Sequence, residues 1–100
     1  MSKFFFRVIW LNSCIGIAVD KRLKNNIIPL TSFYFWPTVD GWKLLKHELE
    51  LKPWLIEEER IKILNGYTKL IYLWKDNLNK EKLDFKKLEK EHNFILIAIE

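Results

Sequence analysis

Residues 29–37 read PLTSFYFWP, four aromatic side chains in a row framed by two prolines. A β-strand sends alternate side chains to opposite faces, so both faces of such a strand would be aromatic. Three uses fit the run: a platform for stacked bases, a strand covered on both sides, or a surface for another protein. The surrounding sequence decides among them. A platform for single-stranded nucleic acid needs exposed rings, whereas this run is flanked by apolar strand patterns and followed at once by Trp42 on a helical pattern. The expectation is therefore a central core strand over 27–36, with one face on the helices and the other left for a partner or for RNA. Pro37 ends it, because proline has no N–H to give to a ladder.

Upstream, FFFRVIWL (4–11) places Phe4, Phe6, Val8 and Trp10 on one face, and IGIAVD (15–20) alternates Ile15, Ile17 and Val19 against Gly16 and Ala18. Two such runs joined by NSC predict a hairpin over 4–20. Gly16 and Ala18 leave one face nearly bare, so something should pack closely there. Downstream the period changes. Trp42, Leu45 and Leu49 fall on one helical stripe, predicting a helix over 38–52, capped by Thr38 or Asp40 and stopped by Pro53. A longer helix follows over 56–79. Its stripe is Ile61, Leu64, Ile71, Trp74 and Leu78, with Tyr67 or Thr68 in the middle. Glu57, Glu58 and Glu59 in its first turn suit the helix dipole, and Gly66 inside it costs about 1 kcal/mol against alanine. A weaker helix over 81–91 and a last strand, FILIAI (94–99), complete one domain over 1–100. Strands first and helices after predict an α+β fold: a small antiparallel sheet of about four strands, packed on one face by two to three helices.

The 100 residues carry 17 Lys and Arg against 13 Asp and Glu, a net charge of +4 that is compatible with a polyanionic partner. The single cysteine, Cys14, excludes an internal disulfide, and His47 and His92 lie far apart. There is no Gly-rich phosphate loop, no recognisable nucleophile–base set and no zinc-ligand spacing. No catalysis, cofactor, metal or small-molecule substrate is expected. MSKFFFRVIWLNSC mimics a secretory signal ending in Leu-x-Ser-Cys, but Arg7 splits its apolar run. No stretch reaches the ~20 apolar residues of a membrane-spanning helix. The chain is expected to work in the compartment where it is made.

What remains is basic and aromatic. Lys21, Arg22 and Lys24 fall in one predicted loop. Lys43, Lys46 and Lys52 lie on or beside the first helix. Lys62, Lys69 and Lys75 recur at spacings of six and seven, on a broad face of the second. Lysines in such places neutralise phosphates and release counterions; the plainer use is a solvated face with helix ion pairs such as Glu58–Lys62. The candidate RNA contacts are Lys21, Arg22, Lys24, Lys43, Lys46, Lys52, Lys69 and Lys75.

WLNSCIGIAVD (10–20), PLTSFYFWPTVDGWKLLKHELELKPWL (29–55) and ILN (63–65) followed by Trp74 resemble the plastid-specific ribosomal protein 3 family of chloroplast and cyanobacterial small ribosomal subunits. The resemblance covers residues 6–74 and weakens after them. Three positions depart from the family's habit: Thr38 stands for a common arginine, Gly41 for an alanine, and Ile56 for a serine or threonine. The first removes a phosphate contact, the third a helix cap. The resemblance implies a structural, non-catalytic component of the plastid small subunit, bound to ribosomal RNA and neighbouring ribosomal proteins. With no transit peptide in view, it also implies synthesis inside the plastid, a cyanobacterial cytoplasm being the lesser alternative. The rival reading is a non-ribosomal protein–protein adaptor using the aromatic surface.

Overall fold

Phe4, Phe6, Val8 and Trp10 share one face of strand β1 (Phe4–Trp10) and are buried in a single apolar core. The computed structural model describes residues 3–78 and 83–99. The expected helical stretches 56–79 and 81–91 extend onto residues 79, 81 and 82, which lie outside the described residues. β1 pairs antiparallel with β2 (Ile15–Leu23), from Phe4 opposite Lys21 to Trp10 opposite Ile15, so Ile15, Ile17 and Val19 join the same core face.

The aromatic stretch is not the central strand. It splits into β3 (Asn26–Pro29) and β4 (Tyr34–Trp36), both lying antiparallel along the outer edge of β2. The reason is visible in the main chain of Val19. Its carbonyl accepts from Leu30 N (2.9 Å) and Thr31 N (3.3 Å), and its N–H donates to Thr31 Oγ1 at 3.0 Å. A buried threonine hydroxyl thus replaces a ladder partner, so the strand can bend without leaving Val19 unpaired. Tyr34 and Trp36 lean on the core, while Phe35 lies across Gly16, where any Cβ would meet its ring. The close packing expected over the bare face of β2 is this contact.

The sheet is mixed, not antiparallel throughout. Its order is β3-β2-β1-β5, with β4 also on β2, and β5 (Phe94–Ile99) runs parallel to β1. A parallel neighbour needs a crossover, and the helices provide it. The last of them, α3 (Phe85–His92), ends at Asn93 in the left-handed conformation (φ 55°). Asn93 Nδ2 donates to Phe4 O at 2.8 Å, which docks the turn at the starting end of β1. β5 therefore sets out in the same direction as β1.

Helix α1 (Gly41–Glu50) starts where Asp40 Oδ1 accepts the Lys43 N–H at 3.1 Å. It buries Gly41, Leu45 and Leu49, not the expected Trp42, which is 36% exposed. Gly41 takes the inward place because the Tyr67 hydroxyl and the Phe35 carbonyl occupy the space a side chain would need. Helix α2 (Glu57–Asp76) buries Ile63, Tyr67, Leu70, Ile71 and Trp74. Of the expected stripe only Ile71, Trp74 and the middle residue Tyr67 are inside; Ile61 and Leu78 are exposed and Leu64 is half-buried. The helix is turned because the ring of Phe6 packs against Gly66. Its large polar aromatics find partners, as buried Tyr and Trp must: Tyr67 Oη donates to Tyr34 O (3.1 Å) and Trp74 Nε1 to Leu11 O (2.8 Å). Phe85 of α3 meets Trp10 edge to face at 5.2 Å.

The core residues of all three helices meet the same sheet face. On the other, Arg7 Nε reaches Asp20 at 2.8 Å and stacks over Phe33, while Arg22 lies over Phe5. Asp20 is 2% exposed, and the guanidinium is what makes its burial tolerable.

Candidate nucleic-acid interface

The eight candidate cations do not form one patch. Lys21 and Arg22 belong to β2 rather than to a loop, so they point to opposite faces of the sheet. Lys21 pairs with Phe4 on the helix side, and its Nζ lies 5.1 Å from the ring centre of Trp54, in the α1–α2 connection. Arg22 lies 4.9 Å over Phe5 on the other side. Lys24 stands in the β2–β3 turn at φ 50°. Half-buried Lys52 holds the α1–α2 connection by accepting the Leu55 N–H at its carbonyl (3.0 Å).

On α1, Lys43 and Lys46 are exposed one turn apart, and Lys46 Nζ sits 5.8 Å over Trp42. Lys46 also borders a cleft of about 160 Å³ with Arg60, Ile61, Leu64 and the acidic Glu50 and Glu57. On α2, the broad lysine face divides. At 100° per residue Lys69 stands about 20° from Lys62 around the axis, whereas Lys75 is about 120° further on. Lys62 and Lys69 border a groove of about 300 Å³ between α2 and the α3–β5 turn. Lys75 lies instead 5.8 Å over the exposed ring of Tyr72.

A pattern emerges that residue spacing did not reveal. Lys21, Arg22, Lys46 and Lys75 each lie over an aromatic ring. For Lys21, Lys46 and Lys75 the ring is itself exposed. An exposed ring beside a cation offers a π face to a base and a charge to a phosphate. Lys62 and His92 also border the groove beside Lys69, although neither is among the eight candidates. The helical spacing of Lys62 with Lys69 was readable; the approach of His92, thirty residues beyond Lys62, required the fold.

The ion pairs are peripheral. Lys62 reaches Glu58 at 3.9 Å, both ends well exposed, so the pair contributes little. Lys3 Nζ approaches Glu59 Oε2 at 2.7 Å, and this hydrogen bond holds the Glu59 carboxyl below its usual range. Cys14 is buried. Among the described residues no group of three His, Cys, Asp or Glu side chains could hold a metal ion, and no helix is long and apolar enough to cross a membrane.

Residues 30–77 match the model of the plastid and cyanobacterial ribosomal protein family (PSRP-3 / Ycf65). Over 100 aligned residues the chain is 45% identical to the small ribosomal subunit protein cS23 of Gracilaria tenuistipitata var. liui, covering 95% of this chain and 97% of that relative. The chain belongs to the PSRP-3/Ycf65 family. Other PSRP-3/Ycf65 proteins extend the likeness: a probable small ribosomal subunit protein cS23 of Synechococcus sp. (strain JA-3-3Ab) is 46% identical over 76 residues, covering 76% of this chain and 77% of the relative. The cS23 protein of Euglena viridis is 33% identical over 95 residues, covering 95% and 94%. The family match ends at Asn77, the C-cap of α2, and so includes every candidate cation except Lys21, Arg22 and Lys24.

Proposed function

We propose that this PSRP-3/Ycf65 protein is a structural, non-catalytic component of the small ribosomal subunit of a plastid, held by ribosomal RNA and by neighbouring ribosomal proteins. The observation that carries the RNA contact is the pairing of dispersed cations with aromatic rings, on α1, on α2 and on both sides of the sheet. An enzyme gathers its polar groups into one cleft; a chain wedged among RNA segments meets phosphates from several directions. Relatives named as small ribosomal subunit proteins support the same reading and disfavour the free-standing adaptor. In this reading the chain is made in the plastid, and Lys21, Arg22, Lys24, Lys43, Lys46, Lys52, Lys69 and Lys75 neutralise phosphates.

The test is sedimentation. The protein should travel with the small subunit at low salt and be released as salt rises. Each lysine that contacts a phosphate should flatten the salt slope by about one unit when replaced. Protein left at the top of the gradient while intact subunits migrate overturns the reading. Association indifferent to salt, with no RNA protection, favours the adaptor.

A further inference from the structure

The groove beside Gly66 has the construction of a ligand site. Lys62, Gly66 and Lys69 fall at i, i+4 and i+7, a single stripe of α2, so two cations flank one bare turn. The glycine is needed: a Cβ there would lie 2.5 Å from Cζ of Phe6. Its absence lets the Phe6 ring pack under the helix. Phe4, Phe6, Ile63 and Leu70 give the groove an apolar floor. The opposite wall, His92 and Asn93, is fixed by the left-handed turn and by the Asn93–Phe4 hydrogen bond. About 300 Å³ is the small end of ligand sites. That is too little for a helix or a duplex edge and enough for one ring system.

We propose that this groove receives a single unstacked ribonucleotide of the small-subunit RNA, its base on the apolar floor and its phosphates on Lys62 and Lys69. The proposal rests on the ribosomal reading above and adds a residue-level site to it. The charge pattern selects an anion, and the apolar floor selects its kind. The stripe presents two cations to an anion, and the exposed Glu58 beside Lys62 is too weakly held to compete. Glu91 on the rim, 3.8 Å from His92 Nε2, repels phosphate and carboxylate alike and so confines an anion to the Lys62–Lys69 side. A carboxylate side chain would also leave the floor uncovered, whereas an unpaired base covers it, as single-stranded RNA is ordinarily read.

The test uses the full chain, a short single-stranded RNA carrying 2-aminopurine, and small subunits assembled with or without the protein. The double variant Lys62→Gln/Lys69→Gln should bind the RNA at least tenfold more weakly, lose the 2-aminopurine signal, and show a salt slope flatter by about 0.7 per lysine. Lys86→Gln/Lys87→Gln on α3 removes the same charge and should retain the signal; equal circular dichroism of both variants excludes misfolding. In assembled subunits, chemical probing should find one unpaired base protected by the parent chain and exposed with the groove variant. Unchanged protection, or equal losses in the two variants, overturns the groove proposal while the ribosomal reading stands. Failure of the parent chain to join the subunit overturns that reading instead. Tighter binding of polyglutamate than of RNA would assign the groove to an acidic protein segment and overturn the nucleotide.

Discussion

Gly41 shows how one missing side chain can be worth more than a propensity. Alanine favours a helix over glycine by about 1 kcal/mol, yet glycine opens α1 at 41. In this chain a methyl at 41 meets the Tyr67 hydroxyl and the Phe35 carbonyl, and the second is backbone. Gly41→Ala should therefore destabilise by about 1–3 kcal/mol, the range of overpacking, read as a lower urea midpoint at constant slope. Ile56 is the opposite case. It occupies the cap position of α2 in extended geometry but offers no oxygen, and only Glu59 Oε1 reaches back to its N–H at 3.4 Å. Ile56→Ser should stabilise by about 1 kcal/mol, measured in the same titration. Tyr34 gives a pH dependence. Burial, and then its 2.7 Å hydrogen bond to Glu48, push its hydroxyl up to about 12 from 10.0. The raised value means that the folded state holds this proton more tightly. Its contribution is complete below about pH 10 and is lost as pH rises toward 12. In Tyr34→Phe the stability measured across that window should fall less steeply than in the parent chain.

At the scale of elements, β5 is the exposed question. It carries Ile95, Ile97 and Ile99 largely in solvent and ends the sheet. Such an edge invites pairing with another chain. Glu89 of α3 blunts it by accepting the Leu96 N–H at 2.7 Å. Glu89→Ala should free that donor, and sedimentation velocity should then show larger species than the parent chain forms at the same concentration. An unchanged distribution would mean that the edge is protected by something else. The α+β class was legible because strand and helix periods differ and occur in separate stretches of the chain, four strands before the helices and one after them. Which side chains of 4–10 face inward was legible for the same reason. Direction and neighbour were not. Alternation assigns FILIAI two faces but says nothing about parallel or antiparallel pairing. The run PLTSFYFWP likewise conceals that Thr31 substitutes a hydroxyl for a ladder partner. The α2 stripe is ambiguous in the sequence because Ile61 and Leu78 satisfy the period as well as Ile63 and Leu70 do; the Phe6–Gly66 contact breaks that tie.

Across the whole molecule the Cα atoms span 42 × 31 × 19 Å, a slab with cations on several sides. Lysine replacements at Lys21, Lys46, Lys69 and Lys75 touch no common aromatic partner or groove. Their effects on association with the small subunit should therefore add logarithmically, and no one of them should abolish it; a single replacement that does would identify a dominant site. Composition exposed the lysines as candidates, but their grouping depended on tertiary structure. Lys21 and Arg22, adjacent in sequence, are separated by a strand's alternation, whereas Lys62 and His92 are brought together by a helix crossover.

The pairing of Phe6 with Phe94 also sets the order in which the chain can finish folding. β1 is synthesised before every other strand of the sheet, yet its second neighbour is not available until residue 94 has been made. Every shorter nascent chain therefore has a strand built from Phe and Trp with one side open, and closing so long a loop is slow. During its own synthesis the chain should need shielding of that strand, whether by a chaperone or by capture on the particle it joins.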